Sequence, residues 1–434
     1  MSQQGVRIDL HVHTSFSNVP EKALIGSLGF AESYTSPQEA YNTAKNRGMT
    51  HVTLTDHNRI EGALELAGYD DFFMSEEVST VFPEDGCVVH IVTLDIDEEQ
   101  HKTIQSLKKN IYAFKQYLHE NNIYHFLAHP FYPVSGDLTF EHVEKLFVMF
   151  DVWELRNGNR INEDEALTRL VTGKYQGEQL EELSQRYGIP QYTTRGPSFV
   201  GGSDDHSGLY IGQTCTYSDT AASLAEFFEQ MRAGKVDIDG KTGSSMDLSS
   251  TIYSVALRHF HHRAEKSEKD IEEMLGAPRL DGPEVPKRRK TDSQNGQGQV
   301  PGGLLIDFFK DIFNGNSESA LSPDMLPVGD DRATHDAMFG TANKYYRDKF
   351  QEIMTEGGGS SLLGNARRVM GSFFELHSIF APFLYSFYHN AREREFSKAL
   401  KERYRSVPKE VNPQKLAIFT DTWGETNGVT VFLR

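Results

Sequence analysis

The stretch "VRIDLHVH" (residues 6–13) places two histidines at the C-terminal end of a short β-prone run. Side chains alternate between the two faces of a strand, so His11 and His13 are expected to point to the same side. Two neutral imidazoles on one face provide half of a metal site. Taken alone, the pair is equally compatible with solvated or hydrogen-bonded histidines.

Six further β-prone runs follow along the chain, and nearly every one carries His, Asp or Glu at or near its end. They read "HVTLTDH" (51–57), "FFMSEEVST" (72–80), "CVVHIVTLDI" (87–96), "YHFLAHP" (124–130), "DVWELRNG" (151–158) and "FVGGSDDHS" (199–207). Amphipathic helical patterns separate several of them. Strands that alternate with helices predict parallel βα units, whose functional loops gather at the carboxyl ends of the strands. We therefore expect residues 1–235 to form an α/β domain, specifically a distorted (β/α)7 TIM-like barrel.

The sequence changes character after residue 235. Residues 236–411 are predicted to be mainly helical, with a mobile linker at about 276–303, where Pro, Gly and Gln accumulate. The aromatic stretch at 373–388 is typical of helix packing, with peripheral contact to a membrane surface as the alternative. The last segment, 412–434, contains a buried-strand pattern, "KLAIFTD", followed by a loop with two glycines.

Composition narrows the range of functions and compartments. The 44 basic and 62 acidic residues give a formal charge of −18, which argues against a protein that binds long nucleic acids. Cys87 and Cys215 are the only cysteines of the sequence, so neither a disulfide framework nor a thiolate zinc site is expected. The N-terminal residues lack the apolar segment of a signal peptide. These features together predict a cytoplasmic protein with reduced thiols.

Eight side chains near the ends of the β-prone runs are candidate metal ligands. They are His11, His13, His57, Glu77, His90, His129, Asp204 and His206. Imidazole and carboxylate ligands without thiolates suit zinc, manganese or iron(II), and a shared carboxylate can bridge two ions. Eight ligands are too many for one tetrahedral ion, so we expect two or three divalent ions.

The ordered motifs "DLHVHTSFS", "TDHN", "EEVST", "HIV", "AHP" and "GGSDDHS" resemble those of the polymerase and histidinol phosphatase (PHP) domain family. Members of that family are metal-dependent phosphoesterases on a distorted (β/α)7 barrel, and the resemblance covers about residues 5–220. Together with "LGFAESYTSP" and the C-terminal segment 412–434, the chain looks like the PHP modules fused ahead of family 4-type glycosyltransferases. Only the first strand and loop of the Rossmann-like transferase domain would be present.

The resemblance implies a division of the ligands among three ions. One ion would be held by His11, His13, Glu77 and Asp204, a second by Glu77, His90 and His129, and a third by His57 and His206. Many relatives have an acid where this chain has Asn18. The third ion would therefore bind weakly, use a neighbour such as Glu21, or be absent. Asp9 and Asp56 are better placed to orient imidazoles than to bind metal.

The expected activity is hydrolysis of a small phosphomonoester or phosphodiester by a metal-bridging hydroxide. Asp204 and His206 are candidates for protonating the leaving group, and Arg195 or Arg160 for contacting the phosphate, with plain salt bridges as the equal alternative for the arginines. For Glu154, a role in supporting the metal ligands and a purely structural role are equally expected. The competing interpretation is a non-catalytic or regulatory PHP module of a truncated or split glycosyltransferase, with the transferase as a partner chain.

Two further polar features are not expected to bind metal. Glu76 is expected to be a solvated acid, because it neighbours Glu77 and should point to the opposite face of the same strand. The cluster "HFHH", with His259, lies beyond the barrel and is expected to belong to a helix face.

Overall fold

The computed structural model describes residues 5–17, 31–135, 138–160, 162–256, 258–259 and 396–404, with single positions between 336 and 386. The strands of the described residues are β1 (Val6–Ile8), β2 (Ser75–Val81), β3 (Val88–Leu94), β4 (Tyr124–Leu127), β5 (Val152–Asn157), β6 (Ser198–Gly202), β7 (Cys215–Ser218) and β8 (Asp237–Asp239). The helices are α1 (Pro37–Asn46), α2 (Glu61–Leu64), α3 (Glu98–Leu107), α4 (Ile111–Glu120), α5 (Phe140–Met149), α6 (Asn162–Thr172), α7 (Glu178–Tyr187) and α8 (Leu224–Ala233). Residues 245–256 are also helical.

The strands form a mixed α/β architecture with two sheets. The larger sheet has the order β2-β3-β4-β5-β6, and β4, β5 and β6 are parallel. The smaller sheet has the order β1-β7-β8 and is antiparallel. Isolated parallel bridges connect further segments, among them Val12 with Asp205 and His57 with Glu77. The α/β class is therefore confirmed, whereas the named strands do not close into a barrel within the described part of the chain.

Strand β3 runs opposite to its neighbours, which the expectation of uniformly parallel βα units did not include. Only residues 82–87 connect β2 to β3, and a parallel pair needs a crossover of about a dozen residues or more. The two strands consequently form an antiparallel hairpin, in which His90 lies opposite Ser79. The reversal brings the beginning of β3, rather than its end, close to the ligands carried by β2 and β4.

The second β-prone run, residues 51–57, makes isolated bridges instead of a regular strand. Thr55 pairs with Val12, in the segment that follows β1. The backbone N–H of Thr55 donates to the Val12 carbonyl, and its hydroxyl accepts from the Val12 N–H. A side chain thus replaces part of the backbone ladder. The run still carries His57 to the edge of β2.

An apolar layer supports the inner face of the larger sheet. Val92 and Leu94 of β3 point inward with Phe126 of β4 and pack against Phe227 and Phe228 of α8. Burial of each such side chain contributes about 1.5–3 kcal/mol. Because side chains alternate along β3, the residues on this face of the strand extend from the apolar layer to the candidate site.

A second core lies on the outer face, under α3 to α7, and includes the stacked rings of Phe147 and Trp153. The helix at residues 396–404 also packs here: Leu400 is buried and Arg403 forms an ion pair with Glu144 at 3.0 Å. Part of the region predicted to be helical is thus docked on the α/β unit.

Several predictions concern residues outside this description. These are the linker at 276–303, the transferase-like segment 412–434, the positions Asn18 and Glu21, and the aromatic stretch 373–388 except for Ser386. Among the described residues, no helix is both long and apolar enough to cross a membrane.

Candidate metal centre

The carboxylate of Glu77 lies at the centre of a cluster of imidazoles. Its Oε1 is 2.9 Å from Nδ1 of His90 and 3.1 Å from Nε2 of His129. Its Oε2 is 3.3 Å from Nε2 of both His11 and His13. All five side chains are buried. The two oxygens therefore face different sets of nitrogens, which is the arrangement of a carboxylate able to bridge two cation positions.

His57, Asp204 and His206 complete the cluster on its other side. Nδ1 of His57 is 3.0 Å from Glu77 Oε2, and Asp204 Oδ1 lies 3.4 Å from Nε2 of His13. The ring of His206 stacks on that of His13, with centroids 4.1 Å apart. His57 and His206 are the more exposed members, at 11% and 16% of the side-chain surface. This side of the cluster is therefore the one that solvent can reach.

Backbone conformation helps to direct two of these side chains. His129 and Asp204 have φ angles of +28° and +51°, although neither is glycine. Residues with side chains rarely adopt positive φ, and such conformations cost about 1–3 kcal/mol. Both residues lie just beyond the ends of parallel strands, where the chain turns sharply and aims the side chain back over the sheet.

Hydrogen bonds fix the tautomers of three imidazoles. The Ser17 hydroxyl donates to Asp56 at 2.8 Å, so it must accept from Nδ1 of His13 at 3.0 Å. Nδ1 of His206 faces the Asp204 carbonyl, which can only accept. Nδ1 of His11 likewise faces a carboxylate oxygen, at 3.0 Å. In each ring we therefore assign the proton to Nδ1, which leaves the lone pair of Nε2 for a cation.

The carboxylate facing His11 belongs to Glu154, which is buried beneath the cluster. Its other oxygen accepts from the backbone N–H of His129 and from the side-chain amide of Asn157, both at 2.8 Å. Asn157 also donates to Asp204 Oδ2 at 3.2 Å. A single carboxylate thus orients three candidate ligands, directly or through Asn157, and of the two roles expected for Glu154 these contacts favour the supporting one.

The two predicted orienting aspartates act in different ways. Asp56 holds His13 through Ser17 and also accepts from the Thr14 N–H at 2.7 Å. Asp9 accepts backbone N–H groups instead, those of His11 at 3.3 Å, Ser203 at 2.8 Å and Gly212 at 2.6 Å. Asp9 therefore joins the backbone of His11 to the loops on the other side of the cluster.

The donor atoms fit divalent cations. Four overlapping groups each bring three donor atoms within 4.8 Å of one another: His11, His13 and Asp204; His11, Glu77 and His129; His57, Glu77 and His90; and His13, His57 and His206. A tetrahedral ion with bonds of about 2.1 Å holds neighbouring donor atoms about 3.4 Å apart, close to the separations seen here. Nε2 of His11 and His13 and Oε2 of Glu77 are buried and make no hydrogen bond within the described residues.

The charges within the cluster are strongly coupled. Burial alone would lower the pKa of His11, but the negative charges of Glu77 and Asp204 hold it well above its usual range. Burial would raise the pKa of both carboxylates, yet the imidazoles around them hold both values well below the usual range. Burial lowers the pKa of His129 and lowers that of His206 to about 3. A cation that binds His11 must displace its second proton, so metal binding is coupled to proton release.

All eight predicted ligands meet in this cluster, and the structure does not bring Arg195 to it. Arg195 precedes β6, whereas Asp204 and His206 follow it, and its guanidinium donates to Ser198 and to the Arg232 carbonyl. Arg160 is the arginine beside the cluster: it lies 3.8 Å from Asp204 Oδ2.

Two other side chains differ from what their sequence context indicated. Glu76 points away from the cluster, as expected, but it is fully buried instead of solvated, because α3 covers it with His101 at 3.0 Å and Gln105 at 2.6 Å. Glu32, in the loop before α1, reaches His57, with Oε2 3.3 Å from Nε2. Glu32 lies within the stretch "LGFAESYTSP" quoted above, but no strand end or neighbouring histidine there indicated a ligand.

Comparisons with known proteins give partial likenesses. No family model matches the chain. It is 30% identical over 112 residues to the uncharacterized protein MJ1587 of Methanocaldococcus jannaschii, a match that spans 24% of this chain and 62% of that protein.

Solved structures that match in part include PsfC from Pseudomonas syringae, with 12% identity, a TM-score of 0.33, and coverage of 60% of this chain and 99% of that one. An amidohydrolase from Chromobacterium violaceum shows 16% identity, a TM-score of 0.27, and coverage of 46% and 87%. A proposed metal-dependent phosphoesterase from Bifidobacterium adolescentis shows 15% identity, a TM-score of 0.27, and coverage of 47% and 88%.

Proposed function

We propose that this protein is a metal-dependent phosphoesterase of the PHP type that hydrolyses a small phosphomonoester or phosphodiester. The observation that carries the proposal is the convergence of six imidazoles on the carboxylates of Glu77 and Asp204. We further propose that the strands belong to the distorted seven-stranded barrel of that family. A cytoplasmic location would agree with the free thiols of Cys87 and Cys215.

Two or three divalent ions, manganese, zinc or iron(II), would supply a nucleophile at neutral pH and neutralise charge on the phosphoryl oxygens. The protein's own part is to hold the donors in place. Glu77 places Oε1 beside His90 and Oε2 beside His11. Glu154 keeps the proton of His11 on Nδ1. Phe126, whose ring lies 6.3 Å from that of His11, closes the floor of the cluster against water.

Arg160 is the side chain best placed to bind a substrate phosphate. Its guanidinium stacks over the ring of Tyr132 at 3.7 Å and lies next to Asp204, so its plane is held beside the cluster. A planar guanidinium can donate two parallel hydrogen bonds to phosphoryl oxygens. The overall charge of −18 favours a small substrate, which would interact mainly with this local positive charge.

The proposal can be tested with the purified full chain. Elemental analysis gives the bound metal, and hydrolysis of p-nitrophenyl phosphate and bis(p-nitrophenyl) phosphate with added Mn²⁺ gives the activity. Glu77→Gln removes the shared charge, and we expect it to lower kcat/KM by at least about 100-fold. Glu144→Gln alters another buried glutamate, on the outer face of the sheet next to Arg403, and should leave the activity unchanged.

The outcomes separate the two functional interpretations. Turnover that depends on metal and on Glu77 supports a phosphoesterase. Bound metal with no turnover of either ester would favour the alternative, a non-catalytic or regulatory module that works with a glycosyltransferase. A chain that binds no divalent metal would refute the proposal.

A further inference from the structure

We propose that Glu32 is a cation ligand at the exposed side of the cluster, where it acts together with His57 and His206. The inference rests on the proposed function, because it requires that the cluster bind divalent ions. It assigns the carboxylate of the third ion position to Glu32, within "LGFAESYTSP", instead of to position 18, where the family resemblance places an acid.

The position of Glu32 relative to His57 is the first line of support. Oε2 of Glu32 lies 3.3 Å from Nε2 of His57, while Nδ1 of the same ring lies 3.0 Å from Glu77 Oε2. His57 therefore stands between two carboxylates, and one of them is the central carboxylate of the cluster. Only 9% of the Glu32 side chain is exposed, so its charge is largely removed from water. A buried carboxylate is costly unless a cation balances it.

The exposed group of candidate ligands consists of imidazoles, so a carboxylate beside it would complete its donor set. The group of His13, His57 and His206 offers three imidazole nitrogens within 4.8 Å, all from side chains that are neutral when they bind metal. Asn18, at the position where the resemblance expects an acid, is an amide. Glu32 supplies the missing charge, and its field also acts on His206.

The loop that carries Glu32 is anchored on both sides. The Thr35 carbonyl accepts from the Ser15 N–H at 2.7 Å, which joins the loop to the segment that follows His13. Tyr34 pairs with Nδ1 of His259 at 2.6 Å, and its hydroxyl also accepts from the Ala31 N–H at 3.0 Å. These contacts fix residues 31–35, the described segment that carries Glu32.

The test counts ions in the full-length protein. Metal-free wild-type and Glu32→Gln proteins are loaded with Mn²⁺ or Co²⁺, freed of excess metal and measured by elemental analysis and calorimetric titration. We expect Glu32→Gln to lose one ion per chain or to bind its weakest ion at least about 10-fold less tightly. Glu65→Gln, which alters an exposed glutamate beyond α2, is the control and should match the wild type.

A second variant distinguishes the loss of a metal ligand from a folding defect. Glu32→Asp keeps the charge but shortens the side chain by one methylene, so it should retain the ion with weaker affinity and a changed visible spectrum of bound Co²⁺. Ion counts, affinities and spectra equal to the wild type in both variants would refute the role of Glu32 and leave a simple ion pair with His57. In that case the phosphoesterase proposal would still stand, whereas a wild-type chain without any ion would overturn both.

Discussion

The substitution Glu154→Gln tests whether one buried carboxylate sets the metal affinity of the whole cluster. Oε2 of Glu154 accepts from the His129 N–H and the Asn157 amide. Because both partners are donors, the carbonyl oxygen of the glutamine must take this position. The new NH₂ group then faces Nδ1 of His11, 3.0 Å from the present Oε1.

This orientation forces the imidazole of His11 into the wrong tautomer. Nδ1 now donates to Glu154, but it would have to accept from the glutamine, so the ring proton would move to Nε2. Nε2 is the nitrogen that faces Glu77 and Asp204. Loss of an orienting partner typically weakens metal binding 10- to 100-fold. We expect the upper end, about 100-fold or about 2.7 kcal/mol, because the lone pair itself is displaced.

The assay is calorimetric titration of metal-free protein with Zn²⁺ or Mn²⁺, with thermal unfolding as a check on folding. Glu154→Gln keeps the shape and two hydrogen bonds of the side chain, so its unfolding free energy should change by no more than about 1 kcal/mol. Glu144→Gln is the matched control, since Glu144 is also buried but contacts Tyr175 and Tyr187 away from the cluster. Equal metal affinities in wild type and both variants would refute the reasoning and leave Glu154 a purely structural residue.

Two further predictions concern stability. Chelation of metal should lower Tm, because an ion at 100 times its Kd stabilises the fold by about 2.7 kcal/mol; equal Tm values with and without chelator would contradict this. Burial lowers the pKa of Lys115 to about 8, and the unfolded chain, with a lysine pKa of about 10.4, then binds more protons at higher pH. Relative to Lys115→Met, the unfolding free energy of the wild type should therefore rise by about 3 kcal/mol between pH 8 and 10.5. The comparison with the variant is needed because burial raises the pKa of Cys215 to about 12, which acts in the opposite direction in both proteins. Denaturant titrations of the two proteins that show the same pH dependence would contradict this prediction.

The positions of the ligands could be predicted from the sequence because of one regularity of sheets. Side chains near the carboxyl ends of neighbouring parallel strands meet at one edge, so His129 after β4 and Asp204 after β6 had to converge. His90 reached the same place for a different reason. Its strand is reversed, so the third residue of β3, near the strand's beginning, lies at that edge. His90 thus lies beside the other candidate ligands although the expected strand direction was wrong.

Other features depend on long-range packing that no local pattern records. Glu76 alternates away from Glu77 as strand periodicity requires, but periodicity cannot say that α3 covers the outer face and buries it. Arg195 and Arg160 both flank β-prone runs, and only the direction of the strands places the second beside the cluster. Glu32 belongs to a loop whose position depends on contacts with residues as distant as His259. Such a residue becomes recognisable only when the chain is folded.

The energetics of the cluster link folding to function. Glu77, Glu154 and Asp204 are each less than 5% exposed, and removing such carboxylates from water costs several kcal/mol apiece unless partners compensate. Protonated imidazoles such as His11 can compensate in the metal-free chain, but only by occupying the nitrogens that face the carboxylates. A divalent cation satisfies two or more carboxylates at once and releases those protons. Burial therefore raises the free energy of the metal-free cluster and so favours the binding of cations. Glu154 fixes the imidazole of His11 from its far side, which leaves Nε2 free to bind a cation.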